Sequence, residues 1–345
     1  MVGISDFSIG LIAQNYVDAE DFKNLDILIK NILPQRMKIS ALHAIQAYTH
    51  HRLGRVEAAS AAMARAMGLD AHEPFVNYFA GRLAIERGQR DAAVRHFGAA
   101  IDVVPWFAPA HDRLIPILFP GLEYHDVFKI VHGVFKPGVY FEIGVSTGAS
   151  LALADKADIA VGVDPDLSGC TAELGSNTRL FATTSDAFFA GLDRTEVLRD
   201  RPVDLGFIDG MHHFEYSLRD FINIERLSRP GGMILIHDVV PVSARVAARE
   251  RTSGPWTGDV WKILPCLAEL RPDLDISLIM TAPSGLAVVR NLDPASTVLA
   301  NGLDGIVDRF GSLPFSGPTY WQGLGLRPIA AELAAIEQLL TEGAR

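Results

Sequence analysis

Two aspartates and two histidines stand where their types and spacing can do chemistry. The run FIDGMHHFEYSLRDF, residues 207–221, places Asp209 at the end of an apolar stretch, with Gly210 allowing a sharp exit and His212 and His213 close behind. A second apolar stretch ends in Ile236-His237-Asp238. If both stretches are neighbouring parallel strands, Asp209 and Asp238 emerge side by side. Two carboxylates brought together repel, so the pair needs a cation, a shared proton or a basic partner. Oxygen ligands suit a hard divalent ion such as Mg²⁺. Such an ion lowers the pKa of a coordinated hydroxyl and holds it for attack. A base must then take the proton. His212 is placed for that, with an ordinary pKa near neutrality. His213 can exchange roles with it. The alternative for Asp209 and Asp238 is plain turn formation.

A second constellation lies upstream. In FEIGVSTGAS, residues 141–150, Gly144 and Gly148 permit a tight turn and a close backbone approach to a ligand. Glu142 precedes the turn and can accept from a polar or cationic group. Asp164 follows Gly144 by 20 residues, where an acid can take both ribose hydroxyls of an adenosine. The spacing Gly144-x-Ser146-x-Gly148 departs from the dinucleotide pattern G-x-G-x-x-G. Without a pyrophosphate to cradle, the third glycine has no task. Ser185-Asp186 stands where contacts to an adenine edge are expected, and serves equally as an N-cap for the helix that follows. A tight turn with no ligand is the alternative for the glycines.

The elements that must position these residues form an α/β pattern. Strands are expected at 139–144, 158–164, 179–183, 204–209 and 233–238, with helical segments between them, the signature of a parallel sheet. Two more are expected at 275–281 and 285–290. Only Ala282-Pro283-Ser284 separates them, too short for a crossover helix, so they must form an antiparallel hairpin. Residues 292–345 form a C-terminal helical extension, with 330–340 as its last helix.

Residues 1–120 read as all-helical. LGRVEAASAAMARAM recurs 34 residues later as RGQRDAAVRHFGAAI, matching Gly54 to Gly88, Ala59 to Ala93, Met63 to Phe97 and Ala66 to Ala100. Small residues at those spacings let antiparallel helices pack closely, with Met63 or Phe97 in the groove. The segment resembles tetratricopeptide repeats, with room for a decayed unit before Gln35. His43 and Asn77 stand where the first-helix aromatic of that family belongs. A generic helical cap is the alternative. So few repeats are expected to pack on the catalytic part or on a second subunit.

Composition narrows the field. The chain has 345 residues, 49% hydrophobic and 21% charged, which is globular. A net charge of −10 argues against nucleic acid as a partner. Its two cysteines, Cys170 and Cys266, have no metal-type spacing and imply no disulfide framework. The first residues lack a basic run before an apolar one, and no stretch of 18 apolar residues occurs, so no membrane association and a cytoplasmic location are expected.

Five βα units closed by a hairpin resemble the seven-stranded, Rossmann-like sheet of class I methyltransferases, which an NAD-binding domain does not share. FIDGMHHFEYSLRDF together with LSRPGGMILIHD resembles the metal-dependent sugar and macrolide O-methyltransferases of the macrocin and mycinamicin type, over residues 137–291. That resemblance implies S-adenosyl-L-methionine as cofactor, held by Glu142, Gly144, Ser146, Gly148, Asp164, Ser185 and Asp186. It implies Asp209 and Asp238 as ligands of Mg²⁺ or another divalent metal, His212 as general base, and a sugar or secondary-metabolite hydroxyl as acceptor. His237 stands where that family has a second acid. It can also bind a metal, but favours softer ions than Mg²⁺. The implied domains are a tetratricopeptide-like helical domain at 1–120, a methyltransferase domain at 121–291 and the extension at 292–345.

The segment after Asp238 is long for a loop and mixes Gly, Pro, Trp and charges, as functional lids do. Trp256, Asp259, Trp261 and Lys262 can line an acceptor pocket, or Val260-Trp261 can start a core-facing helix through Leu267. Arg219 reads as a surface or ion-pair residue. Two other classes compete: a scaffold whose helical repeats bind a protein partner or a second copy of the chain beside a vestigial enzyme, and an iron-dependent oxygenase using the His/Asp cluster.

Overall fold

The structure is a computed structural model and describes residues 6–252 and 255–342; residues 1–5, 253–254 and 343–345, at the two ends and inside the long loop, lie outside the described residues. The described chain falls into two compact units, one built on the helices up to Ile117 and one running from Leu118 onward, with Pro255 grouped with the first.

The first unit is helical. Its helices are α1 (Asp6–Asp18), α2 (Phe22–Ile32), α3 (Ser40–Arg52), α4 (Val56–Leu69), α5 (Pro74–Glu86), α6 (Arg90–Val103) and α7 (Ala108–Leu118). Helices α1, α3, α5 and α7 each start 34 residues after the one before, and so do α2, α4 and α6. The repeat found at α3–α4 and α5–α6 therefore extends in both directions. Ala59, Ala66, Ala93, Ala100 and Phe97 are buried, and the Phe97 ring fills the space that a side chain at Gly81 would need. Met63 is only half-buried.

The polar residues in place of the family's aromatic have a common task. His43, Asn77 and His111 occupy equivalent positions, and each reaches a carbonyl six residues back: Met37 at 2.9 Å, Ala71 at 2.8 Å and Pro105 at 2.9 Å. Each pins its helix to the turn before it. The turns within the pairs repeat as well. Gly54 and Gly88 end α3 and α5 at φ 75° and 70°. The next residues, Arg55 and Gln89, donate to the carbonyls of His50 and Ala84 at 2.8 Å, a Schellman closure. The same closure ends α1, where Asp21 donates to Tyr16 at 2.9 Å, but there Glu20 takes the left-handed position at φ 54°.

The second unit carries the sheet. Its strands are β1 (Val139–Ile143), β2 (Ile159–Asp164), β3 (Thr178–Ala182), β4 (Val203–Ile208), β5 (Ser228–His237), β6 (Asp275–Met280), β7 (Leu286–Arg290) and β8 (Arg327–Ala330), in the order β3-β2-β1-β4-β5-β7-β6-β8. The seven expected strands are present, and β6 and β7 pair antiparallel as the short connection requires. The count is eight rather than seven, because β8 adds parallel to β6. The C-terminal extension is therefore not purely helical. It has α13 (Val298–Asn301), α14 (Leu303–Gly311) and α15 (Leu333–Thr341) around that strand.

The crossovers also differ from expectation. After β1 and β2 the chain makes only short 3₁₀ turns, Leu151–Ala154 and Leu167–Gly169. True helices follow later: α9 (Ser185–Ala190) and α10 (Arg194–Leu198) before β4, α11 (Phe214–Leu227) before β5 and α12 (Ile263–Leu270) before β6. One face of the sheet packs on α8 (Tyr124–Phe135) and α15 through Phe128, Val131, Ile336 and Leu339. On α11, Ile224 sits close against Gly206 of β4. No helix among the described residues is long and apolar enough to cross a membrane.

Glu20 holds a left-handed conformation that costs an L-residue about 1 kcal/mol or more, and its 3.5 Å ion pair with Arg52 is too exposed to offset that. Glu20→Gly should raise stability by about 1 kcal/mol in urea unfolding followed by helical circular dichroism. A lower stability would show that the side chain, not the turn, sets this position.

Candidate active site

The register of the sheet brings the chemistry together. Ile143 of β1 pairs with Ile208 of β4, and Ile208 pairs with Ile236 of β5, so the strand ends stand level. Asp209 leaves β4 with its N–H on the Ile143 carbonyl at 2.8 Å. A Cβ on Gly144 would lie 2.0 Å from the Asp209 carbonyl, and Gly144 has φ 89°. Only glycine fits there, and what approaches it is the neighbouring strand. Gly148, at φ 80°, is packed instead against side chains, those of Cys170 and Ala172.

Asp164 organises the turn. Its Oδ2 accepts from the backbone N–H groups of Val145 at 2.8 Å and Ser146 at 3.1 Å, and its Oδ1 from Asp166 at 2.9 Å. Ser146 is exposed at the tip, at φ 46°. Oδ2 is saturated by its two donors, while Oδ1 keeps lone-pair capacity for a further one. The half-exposed carboxylate and the open tip thus fit a ribose-bearing ligand at the C-terminal edge, where such sheets bind them.

Glu142 has a different place from the one expected. It is fully buried, and its two oxygens accept from Tyr140 at 2.6 Å and Ser150 at 2.7 Å. Burial is the main cause that lifts its pKa to about 8. Asp186 is taken by Arg219, which donates twice at 2.8 and 2.7 Å, so Arg219 is the ion-pair residue expected. The N-cap of α9 is Thr184, not Ser185. Ser185 bonds instead to buried Asp220, whose pKa burial raises to about 7.

At the ends of β4 and β5 four side chains converge. Asp209, His212 and Asp238 each offer a ligand atom within 4.8 Å of the others. His212 Nδ1 lies 3.1 Å from Asp238 Oδ2 and 3.2 Å from the Trp256 carbonyl, and its Nε2 lies 3.7 Å from Asp209 Oδ1. Both Nδ1 neighbours are acceptors and the nearer ones, so in a neutral ring Nδ1 is the donor and Nε2 holds the lone pair. His237 Nδ1 is 3.2 Å from Asp209 Oδ1 and 3.5 Å from Asp238 Oδ1. Burial disfavours charge on His237, but Asp209 and Asp238 outweigh it and raise its pKa to about 9. Two carboxylates with imidazoles beside them are a donor set that fits a divalent ion. His213 turns away to the Arg249 carbonyl at 3.2 Å and precedes α11.

The long loop grips His212. The Trp256 ring stacks on the imidazole, with centroids 5.1 Å apart and planes 15° apart. Gly258, at φ 59°, passes so close to the His212 carbonyl that a Cβ would collide with it. The Asp259 N–H donates to that carbonyl at 3.1 Å, while Asp259 Oδ1 accepts from the Phe214 N–H at 2.8 Å. Trp261 and Lys262 are buried in a 3₁₀ turn leading into α12, as the core-facing alternative had it. Sequence reasoning missed two residues. Ser284, in the β6–β7 turn, donates to Asp238 Oδ1 at 2.5 Å. The Tyr124 ring lies against His237, with centroids 4.5 Å apart and planes tilted by 32°. Asp238 itself has φ 61°, a left-handed non-glycine residue at the strand tip.

A carboxyl with a folded pKa near 8 and an unfolded value near 4.5 is protonated in the fold while ionised in the unfolded chain. Its contribution to stability is present below pH 4.5 and is lost as pH rises toward 8. Glu142→Gln should remove that loss, gaining several kcal/mol at pH 8 and little at pH 4.5 in denaturant titrations. An equal gain at both pH values would contradict the protonated carboxyl.

Parts of this chain are similar to known proteins. Residues 141–239 match the family model described as "Methyltransferase domain". No curated protein sequence matches the chain. Among solved structures, the O-methyltransferase from Bacillus cereus in complex with SAH is 14% identical, covering 48% of this chain and 79% of its own, with TM-score 0.37. The O-methyltransferase TomG from Streptomyces achromogenes, involved in tomaymycin synthesis and solved with SAM, is 15% identical, covering 57% and 88%, with TM-score 0.38. The SAH-bound methyltransferase PaMTH1 from Podospora anserina is 19% identical, covering 52% and 85%, with TM-score 0.37. The matched stretch, residues 141–239, runs from β1 through β5 and so spans the glycine turn, Asp164 and the Asp209–His212–Asp238 cluster, and over it the chain is similar to a methyltransferase domain.

Proposed function

We propose that the chain transfers a methyl group from S-adenosylmethionine to a hydroxyl of a sugar or secondary-metabolite acceptor, with His212 as general base and a divalent ion at Asp209 and Asp238. The orientation of His212 carries this reading. Its Nδ1 proton is committed to Asp238 and the Trp256 carbonyl, which leaves the Nε2 lone pair for a substrate proton. A nucleophile that must lose a proton is what an oxygen acceptor supplies.

The turn around Gly144, Ser146 and Gly148 and the Asp164 carboxylate would hold the cofactor, which supplies an electrophilic methyl group. Ser185 and Asp186 would act indirectly, tying α9 to α11 beside it. A bound divalent ion would lower the pKa of the acceptor hydroxyl. Asp238 holds the imidazole in one tautomer and stabilises it once Nε2 takes the proton. Trp256 covers one face of His212 and limits water there. The helical unit, read as tetratricopeptide-like, would serve a protein partner or self-association.

Labelled methyl transfer to a panel of sugars, polyols and catechols tests this. The parent chain should label a hydroxyl acceptor, and His212→Ala should lower that rate by about 10²–10⁴-fold with affinity for S-adenosylhomocysteine nearly unchanged. Unchanged turnover in that variant would overturn the assignment of the base. Labelling of nitrogen or carbon acceptors alone would overturn the oxygen acceptor.

A further inference from the structure

The C-terminal extension is bonded to the loop that grips His212, at both ends of that loop. Tyr320 begins the 3₁₀ turn Tyr320–Leu324, and its hydroxyl lies 2.6 Å from the Val239 carbonyl and 3.1 Å from the Trp261 carbonyl. Carbonyls only accept, so one phenolic proton is shared between them. Val239 is where the loop departs after Asp238, and Trp261 is where it runs into α12. One hydroxyl therefore closes the neck of the loop. Its ring packs edge-on against Trp261, with centroids 5.0 Å apart, and lies 6.0 Å from Phe315. The Val239–Val240 peptide is held from its other side too, because the Val240 N–H donates to the Ser284 carbonyl at 2.6 Å. A second tie runs from the same extension. Lys262 Nζ donates to the carbonyl of Gly311, the last residue of α14, at 2.6 Å, and to Asp259 Oδ2 at 3.0 Å. A cation is favoured at that helix C-terminus. Asp259 passes the tie inward, with its N–H on the His212 carbonyl and its Oδ1 on the Phe214 N–H.

We propose that Tyr320 is a positioning residue for His212: its hydroxyl holds the two ends of the loop together, so that Trp256 stays stacked on the imidazole and Asp259 stays on the His212 carbonyl. This rests on the reading of His212 as general base and deepens it, giving the extension a part in the reaction. Trp256 is fixed within the loop by its indole N–H on the Ala248 carbonyl at 2.7 Å, and Thr257 closes the loop on itself by donating to the Val246 carbonyl at 3.1 Å. The indole therefore moves with the loop. The loop's place is set by its neck and by the Arg249–Glu215 ion pair, whose arginine is 48% exposed and so screened by water. Without the Tyr320 hydroxyl the two ends part, the indole shifts, and the imidazole is no longer held toward an acceptor proton. A misplacement of about 1 Å can cost about 10²-fold in rate. The glycine turn and Asp164 lie at the ends of β1 and β2, away from this neck, and keep their geometry.

The experiment compares the full chain with Tyr320→Phe, which keeps the ring and its aromatic packing and removes only the hydroxyl. Amide hydrogen exchange is followed at Thr257 and Asp259, carbethoxylation of His212 by diethyl pyrocarbonate is followed by peptide mass, and S-adenosylhomocysteine affinity is measured by calorimetry. In the variant the two amides should exchange about 3–10-fold faster. His212 should be modified faster by a similar factor, with S-adenosylhomocysteine affinity unchanged. On a hydroxyl acceptor that the parent chain methylates, kcat should fall at least about tenfold while KM for S-adenosylmethionine holds. That loss should vanish in a His212→Ala background. Arg327→Ala, which removes an exposed ion pair of the same extension with Glu342, should change none of these readings. Unchanged exchange and carbethoxylation in Tyr320→Phe would overturn the proposal. So would an equal loss of rate with and without the His212 imidazole, the mark of a general effect on the fold. A parent chain that binds S-adenosylhomocysteine but methylates no hydroxyl would strike the acceptor reading alone, and exchange and carbethoxylation would still uphold or overturn the hold of Tyr320 on His212.

Discussion

Asp209 and Asp238 leave neighbouring strands at the same level, and two carboxylates cannot share a half-buried edge without positive charge between or beside them. That constraint organises the active edge of the sheet. Asp209 is 22% exposed and Asp238 8%, so solvent screens them only partly. His237, whose pKa the two acids raise to about 9, answers the repulsion with charge, and His212 adds an N–H donor to Asp238. His237 comes from within β5, and His212 from the loop after β4. Everything around them fixes those rings: Ser284 and Tyr124 on one, Trp256, Gly258 and Asp259 on the other. The glycine turn belongs to the same arrangement, since Gly144 is small so that the Asp209 backbone can lie against it.

The sheet was legible because strand pairing buries β-branched runs between turn residues, and each expected strand lies within a few residues of the observed one. β5 shows the largest difference. It begins at Ser228 and passes through Pro230-Gly231-Gly232 with a register shift against β4, so a sequence that reads as a turn is carried in the strand. β8 escaped notice because it is a four-residue edge strand exposed at Arg327, Pro328 and Ala330. The first repeat hid because Glu20 replaces the glycine that marks the others, while the backbone closure is retained.

Within the candidate site, the placement of residues at or just past the strand ends was legible: Asp209, His212, His237, Asp238 and Asp164 all stand at the C-terminal edge. Contacts made across long sequence separations were not. Ser284 reaches Asp238 from the hairpin turn, Tyr124 meets His237 from α8, and Trp256 meets His212 from a loop 44 residues on. Trp256 and Trp261 look alike in sequence, and only packing separates the one over His212 from the one in the core. Glu142 shows the opposite failure. Its position at a strand end suggested a ligand contact, but Tyr140 and Ser150 take both oxygens inside the fold.

Calorimetric titration of S-adenosylmethionine into the full chain, beside an Asp164→Ala variant, tests the central claim most directly. Saturable one-site binding is expected for the parent chain. It should be weakened at least about tenfold when the carboxylate that shapes the turn, and that we propose receives the ribose, is removed. No binding by the parent chain, with or without a divalent ion, would contradict an S-adenosylmethionine-dependent enzyme.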